Sequence, residues 1–116
     1  MAIIVSTLVP NSVVGIIRRR IDEELIDTWS YDEDGDFTHT GQWKNKAWMH
    51  PSIDSKNNTI TFVIYGRKNV EMTLMEYSIY HGRFLEMLIN NFPKEIISVK
   101  ITPPLDNLND YNRISF

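Results

Sequence analysis

Apolar and polar positions along the chain change period several times, and each change marks an element. Ile3 to Val9 is rich in β-branched residues and apolar on both faces, the pattern of a central strand covered by helices. Pro10, with Asn11 and Ser12 as candidate N-caps, opens a stretch in which Val14, Ile17, Ile21, Leu25 and Trp29 recur three and four apart. That spacing predicts a helix that buries one stripe. Tyr31-Asp32-Glu33-Asp34-Gly35-Asp36 then breaks the period, with turn-forming Asp and a Gly free to take positive φ.

From Phe37 the pattern alternates, with Phe37, His39, Gly41 and Trp43 on one side and Thr38, Thr40 and Gln42 on the other. The alternation does not decide whether this strand runs on through Ala47-Trp48-Met49. His50 to Asn58 reads as a connection, and Thr59 to Tyr65 as a second alternating strand that pairs with the first in an antiparallel hairpin. Thr73-Leu74-Met75-Glu76 has capping-box spacing. A second helix follows, with Tyr77, Tyr80, Phe84, Leu85, Leu88 and Phe92 on one side and stop signals at Asn90, Asn91 and Pro93. Ile96 to Ile101 is the last strand, closed by Pro103-Pro104.

The order is strand, helix, strand, strand, helix, strand. With right-handed crossovers and a central hairpin, it predicts an α+β fold of ferredoxin-like βαββαβ type, a four-stranded antiparallel sheet with two helices on one face. One domain is expected over residues 1–104. The polar tail 105–116, with scattered Leu, Tyr, Ile and Phe, is expected to lie against the domain or to be partly disordered.

Composition narrows the function more than the fold. The chain has 116 residues, 42% hydrophobic and 23% charged, with a mean hydropathy of −0.27, as a globular domain does. A net charge of −3 disfavours a domain whose main task is to coat nucleic acid or anionic lipid. The absence of cysteine excludes disulfides, thiolate metal sites and a cysteine nucleophile, and fits a bacterial-type cytoplasmic protein. The apolar start lacks a basic leader region, and no window reaches the roughly 20 apolar residues that span a bilayer.

Charge is unevenly distributed. Residues 22–36 carry eight carboxylates, Asp22, Glu23, Glu24, Asp27, Asp32, Glu33, Asp34 and Asp36, and no Lys or Arg. Residues 37–70 reverse the sign, with Lys44, Lys46, Lys56, Arg67 and Lys68 against Asp54. Arg18, Arg19 and Arg20 precede Asp22, Glu23 and Glu24 by one helical turn, so internal ion pairing is expected there. Asp32, Asp34 and Asp36 fail as an EF-hand, because the sixth and twelfth positions hold Phe37 and Trp43.

No phosphate loop, nucleophile elbow, dinucleotide fingerprint or helical zinc motif is present, and no cofactor or metal is expected. His39, His50 and His81 are scattered over a strand, a loop and a helix. Gly82, inside the second helix, suggests close approach of the helix to its own sheet. Trp43 and Trp48 flank Lys44 and Lys46, a mixture suited to contact with a partner.

In size and charge the chain resembles the small acidic immunity proteins with which bacteria neutralise toxin domains, many of them basic nucleases. The resemblance implies a non-enzymatic protein-binding module whose Asp32, Glu33, Asp34 and Asp36 imitate phosphates, with Trp43 or Trp48 anchoring the interface to a basic protein. The contrasting expectation is a small enzyme or ligand-binding regulator, dimeric, with a pocket on the open sheet face formed by His39, Trp43 and His81. Direct nucleic-acid binding on the sheet is disfavoured by charge and by the lack of an aromatic RNA-binding motif.

Overall fold

The structure, a computed structural model, describes residues 2–103; Met1, Pro104 and the tail expectation for 105–116 lie outside the described residues. In chain order the elements are β1 (Ala2–Thr7), α1 (Pro10–Asp22), β2 (Trp29–Tyr31), β3 (Phe37–His39), a short 3-10 turn (Gly41–Trp43), β4 (Ala47–Asp54), β5 (Thr59–Gly66), α2 (Leu74–Asn91) and β6 (Ile96–Ile101). The fold class is α+β. The sheet, however, has six antiparallel strands in the order β2-β3-β4-β5-β1-β6, which corrects the expected four-stranded ferredoxin-like sheet.

Two local readings account for the difference. The segment expected to form one long strand from Phe37 stops at His39, because Gly41 takes φ +73° and starts the 3-10 turn. The partner of β5 is instead β4, which runs straight through Pro51, paired with Phe62. Proline is tolerated there because β3 meets β4 only at Phe37–Met49, so the outer side of β4 beyond that point is an open edge with no ladder to lose.

The second reading concerns α1. Its apolar spacing continues through Leu25 and Trp29, yet the helix ends at Asp22, and Trp29 begins strand β2. The Glu24 N–H bonds to Ile21 O at 3.0 Å and the Leu25 N–H to Arg20 O at 2.8 Å, a Schellman closure with Glu24 at φ +61°. Glycine usually takes that position, so nothing in the residue types announced the stop. At its start the helix uses Pro10 in the first turn and no side-chain cap from Asn11 or Ser12.

One face of the sheet carries the core. Ile3 and Val5, Phe37, Met49, and Ile60, Phe62 and Ile64 meet Val13, Val14 and Ile17 of α1 and Tyr80, Phe84 and Leu88 of α2. Phe84 sits at the centre, its ring centroid 4.8 Å from that of Phe62 and 4.9 Å from that of Trp29. Each such side chain contributes about 1.5–3 kcal/mol by leaving water. The capping box of α2 forms as the spacing predicts, with the Glu76 N–H on Thr73 Oγ1 at 3.0 Å and the Thr73 N–H on Glu76 Oε1 at 2.9 Å. Among the described residues no helix is long and apolar enough to cross a membrane.

Candidate functional site

The acidic segment of the sequence becomes one flank of the molecule. β2 is an outermost strand, paired among the described residues only with β3, and the carboxylates lie on both sides of it in the chain. Asp22, Glu23, Glu24 and Asp27 precede it at the end of α1 and in the following loop, and all four are exposed. Asp32, Glu33, Asp34 and Asp36 follow it in the turn to β3.

The turn is built by its own side chains. Oδ1 of Asp32 accepts the backbone N–H groups of Asp34 and Asp36, both at 3.0 Å, and Gly35 N–H bonds back to Asp32 O at 2.9 Å. Gly35 takes φ +81°, which only glycine adopts without strain. Its carbonyl accepts Nη2 of Arg18 at 2.8 Å, and the same guanidinium lies over the rings of Phe37 and Tyr31 at 5.5 and 5.9 Å. Asp36 is buried and approaches Nδ1 of His50 at 2.6 Å. Carboxylate oxygens of Asp32, Asp34 and Asp36 lie within 4.8 Å of one another, an all-oxygen set suited to a hard cation, but three ligands are short of the roughly six to eight that calcium takes.

Arg18 and Arg20 do not pair with the carboxylates one helical turn on. In place of the expected pairs with Asp22, Glu23 and Glu24, Arg18 turns to Gly35, and Arg20 donates to Asn91 O at 2.8 Å and stacks on Phe92 at 5.1 Å. Among the described residues, Glu23, Glu24, Asp27 and Glu33 have no cation within ion-pairing distance. Asp22 accepts the Tyr31 hydroxyl at 2.7 Å, and that bond to a carboxylate holds the phenol's pKa above its ordinary value.

The remaining expected site residues are not at the surface together. Trp48 is fully buried on the face away from the helices, and Trp43, on the 3-10 turn, is half-buried against the core. Neither is an exposed anchor. Asp36 likewise faces inward, on His50. His39 is buried edge-on against Trp29, with ring centroids 5.1 Å apart, and His81 is buried in α2, stacked on Tyr77 at 3.9 Å. His39, Trp43 and His81 therefore line no common pocket on the sheet. Two depressions among the described residues lie elsewhere, one of about 380 Å³ beside Ile21, Glu24, Asp27 and Trp29, the other of about 280 Å³ between the 25–28 loop and Glu86, Met87, Asn90 and Asn91.

Three features of the site were missed by residue patterns: the His50–Asp36 pair, the Arg18 clamp on Gly35, and the closeness of the 23–28 loop to the end of α2. Only the Asp-x-Asp-Gly-Asp spacing carried a signal for the turn itself. Compared with protein-family models, with characterised proteins and with solved structures, the chain matches none.

Proposed function

We propose that this chain is a non-enzymatic protein-binding module that neutralises a basic protein, as an immunity protein neutralises a nuclease toxin. One observation carries the reading: Glu23, Glu24, Asp27 and Glu33 stand exposed around the outermost strand β2, and Arg18 and Arg20 bond to backbone carbonyls instead of pairing with them. Four exposed carboxylates with no cation paired to them among the described residues attract a basic surface and speed its docking. The recognition surface differs from the one expected from residue types alone. It uses the 23–27 loop and Glu33 together with the Asp32–Asp34 turn, and leaves out Asp36, Trp43 and Trp48. The pocket alternative gains no support, because its three residues do not converge.

The test is capture from a lysate of the source cell, followed by affinity measurement with the recovered protein at low and moderate salt. The expected result is a basic protein bound one-to-one, with affinity falling steeply as salt rises. Combining Glu23→Gln, Glu24→Gln, Asp27→Asn and Glu33→Gln should weaken binding and flatten the salt dependence. A partner whose affinity ignores both salt and the four substitutions overturns the reading.

A further inference from the structure

The face of the sheet turned away from the helices is a different kind of surface. Alternate residues of β1, β4 and β5 point to it, and the register sets Ala2 of β1 beside Val63 of β5, and Val63 beside His50 of β4. An antiparallel sheet with one face in water normally alternates apolar and polar side chains. Here that face instead carries Ile4, Val63, Tyr65 and Trp48, the first three half-buried. Trp48 exposes 0% of its surface, although it stands apart from the core that the helices cover. Its neighbours on the same face, His50 along β4 and Tyr65 across on β5, are themselves partly exposed. Standing beside the indole, they cover its edges and leave its outer side to something else.

We infer that residues 105–116 cross this face and form its cover. The path is set by where β6 hands the chain on. Thr102 is fastened to Ala2, its N–H on Ala2 O at 3.1 Å and its Oγ1 accepting the Ala2 N–H at 2.9 Å, while its carbonyl accepts the Tyr77 hydroxyl. From that corner the row Ala2, Val63, His50 leads straight across the sheet, and His50 in turn meets Asp36 at 2.6 Å. β1 to β3 is three strand spacings, about 15 Å, and the nine residues 105–113 reach about 30 Å when extended. Leu105, Leu108, Tyr111 and Ile114 supply the apolar surface that Trp48 and its neighbours require. Charge fits at the far end. Arg113 is the single cation of the segment, and the turn within its reach carries Asp32, Asp34 and Asp36, whose carboxylate oxygens lie within 4.8 Å of one another.

The chain contains no cysteine, so a single introduced one places a spin label at a chosen position of the full chain. With the label on Asn112→Cys, the methyl signals of Ile4 and Val63 should broaden more than those of Val13 and Ile17 on the helix side. Hydroxyl-radical labelling read by mass spectrometry then reports the cover itself. Trp48 should be protected in the parent. Leu108→Asp, Tyr111→Asp and Ile114→Asp together should raise its oxidation severalfold, while Trp29, buried against Phe84 of α2, stays protected and shows that the fold is intact. Arg113→Glu should raise it as well, by setting a further carboxylate against the acidic turn. Should the triple variant unfold, the spin-labelled chain, which keeps every apolar residue of the segment, decides the question. Equal broadening on the two faces, or equal protection of Trp48 in the parent and the folded triple variant, overturns the inference. Protection that vanishes on dilution of the parent also overturns it and assigns the face to a second copy.

Discussion

The hydroxyl of Thr38 on β3 and the phenol of Tyr80 on α2 lie 3.1 Å apart, both buried. Thr38 Oγ1 accepts the Asn45 N–H at 2.9 Å, and the Tyr80 hydroxyl donates to the carbonyl of Trp43. The proton of Thr38 is therefore the one shared with Tyr80, and a single chain of hydrogen bonds runs from Asn45 through both side chains to Trp43. Burial raises the Tyr80 pKa above its ordinary value, which keeps this donor protonated. The chain ties the 3-10 turn and the 44–46 loop to α2, and it explains why Trp43 packs inward.

Tyr80→Phe leaves the Trp43 carbonyl and the Thr38 hydroxyl without this partner in a buried place. The expected loss is about 1–3 kcal/mol, measured by urea denaturation. Thr38→Val should cost a similar amount, and the double variant less than the sum, because both belong to one network. Additive losses would show that the two hydroxyls act independently.

Glu24 occupies a left-handed position that glycine takes with least strain. Glu24→Gly should raise stability by about 1 kcal/mol while removing one carboxylate from the proposed binding flank. The two effects separate cleanly: the denaturation midpoint should move up as affinity for a basic partner moves down. A variant that is less stable than the parent would contradict the Schellman closure.

Gly82 is exposed, and no atom lies within 4 Å of where its Cβ would stand, so the close approach suggested by its position in α2 does not occur. Gly82→Ala therefore gains helix propensity at no steric cost. A stabilisation of about 1 kcal/mol is expected, read as a rise in Tm.

His81 donates Nδ1–H to the Tyr77 carbonyl at 2.8 Å, and its Nε2 is buried without a partner. Burial lowers its pKa below 6.5, against the opposing effect of the bond to Tyr77. The unfolded chain then binds a proton at this residue before the folded one does. Stability should fall as the pH drops below about 6.5, by at most ~1.4 kcal/mol per pH unit, until the lowered folded-state pKa is reached. His81→Gln removes this contribution, so its denaturation midpoint should shift less between neutral and mildly acidic pH than that of the parent. Equal shifts in both proteins would exclude His81 as the source.

Residue patterns located most elements because their signals are local. Two helices, the strands at Ile3, Thr59 and Ile96, and the Thr73–Glu76 cap follow from side-chain period and from bonds between residues three or four apart. The acidic block was legible for the same reason, as was the turn made by Asp32 and Gly35. Which strands pair was not, because that choice depends on surfaces far apart in the chain. His50 to Asn58 reads as a connection, yet β4 runs through Pro51, where the shortness of β3 leaves its outer side open. Leu25 and Trp29 kept the helical spacing, yet Trp29 lies on β2 and packs edge-on against Phe84 and Tyr80 of α2. The arginines had carboxylates one turn away, but Arg18 and Arg20 instead found carbonyls and ring faces that tertiary packing had placed within reach. The sequence by itself thus determined the α+β class, the period of each long element and the position of the negative charge. The tertiary structure alone decided the six-strand order, the burial of Trp48 and Asp36, and which carboxylates remain in water, since burial is a property of the whole packed chain.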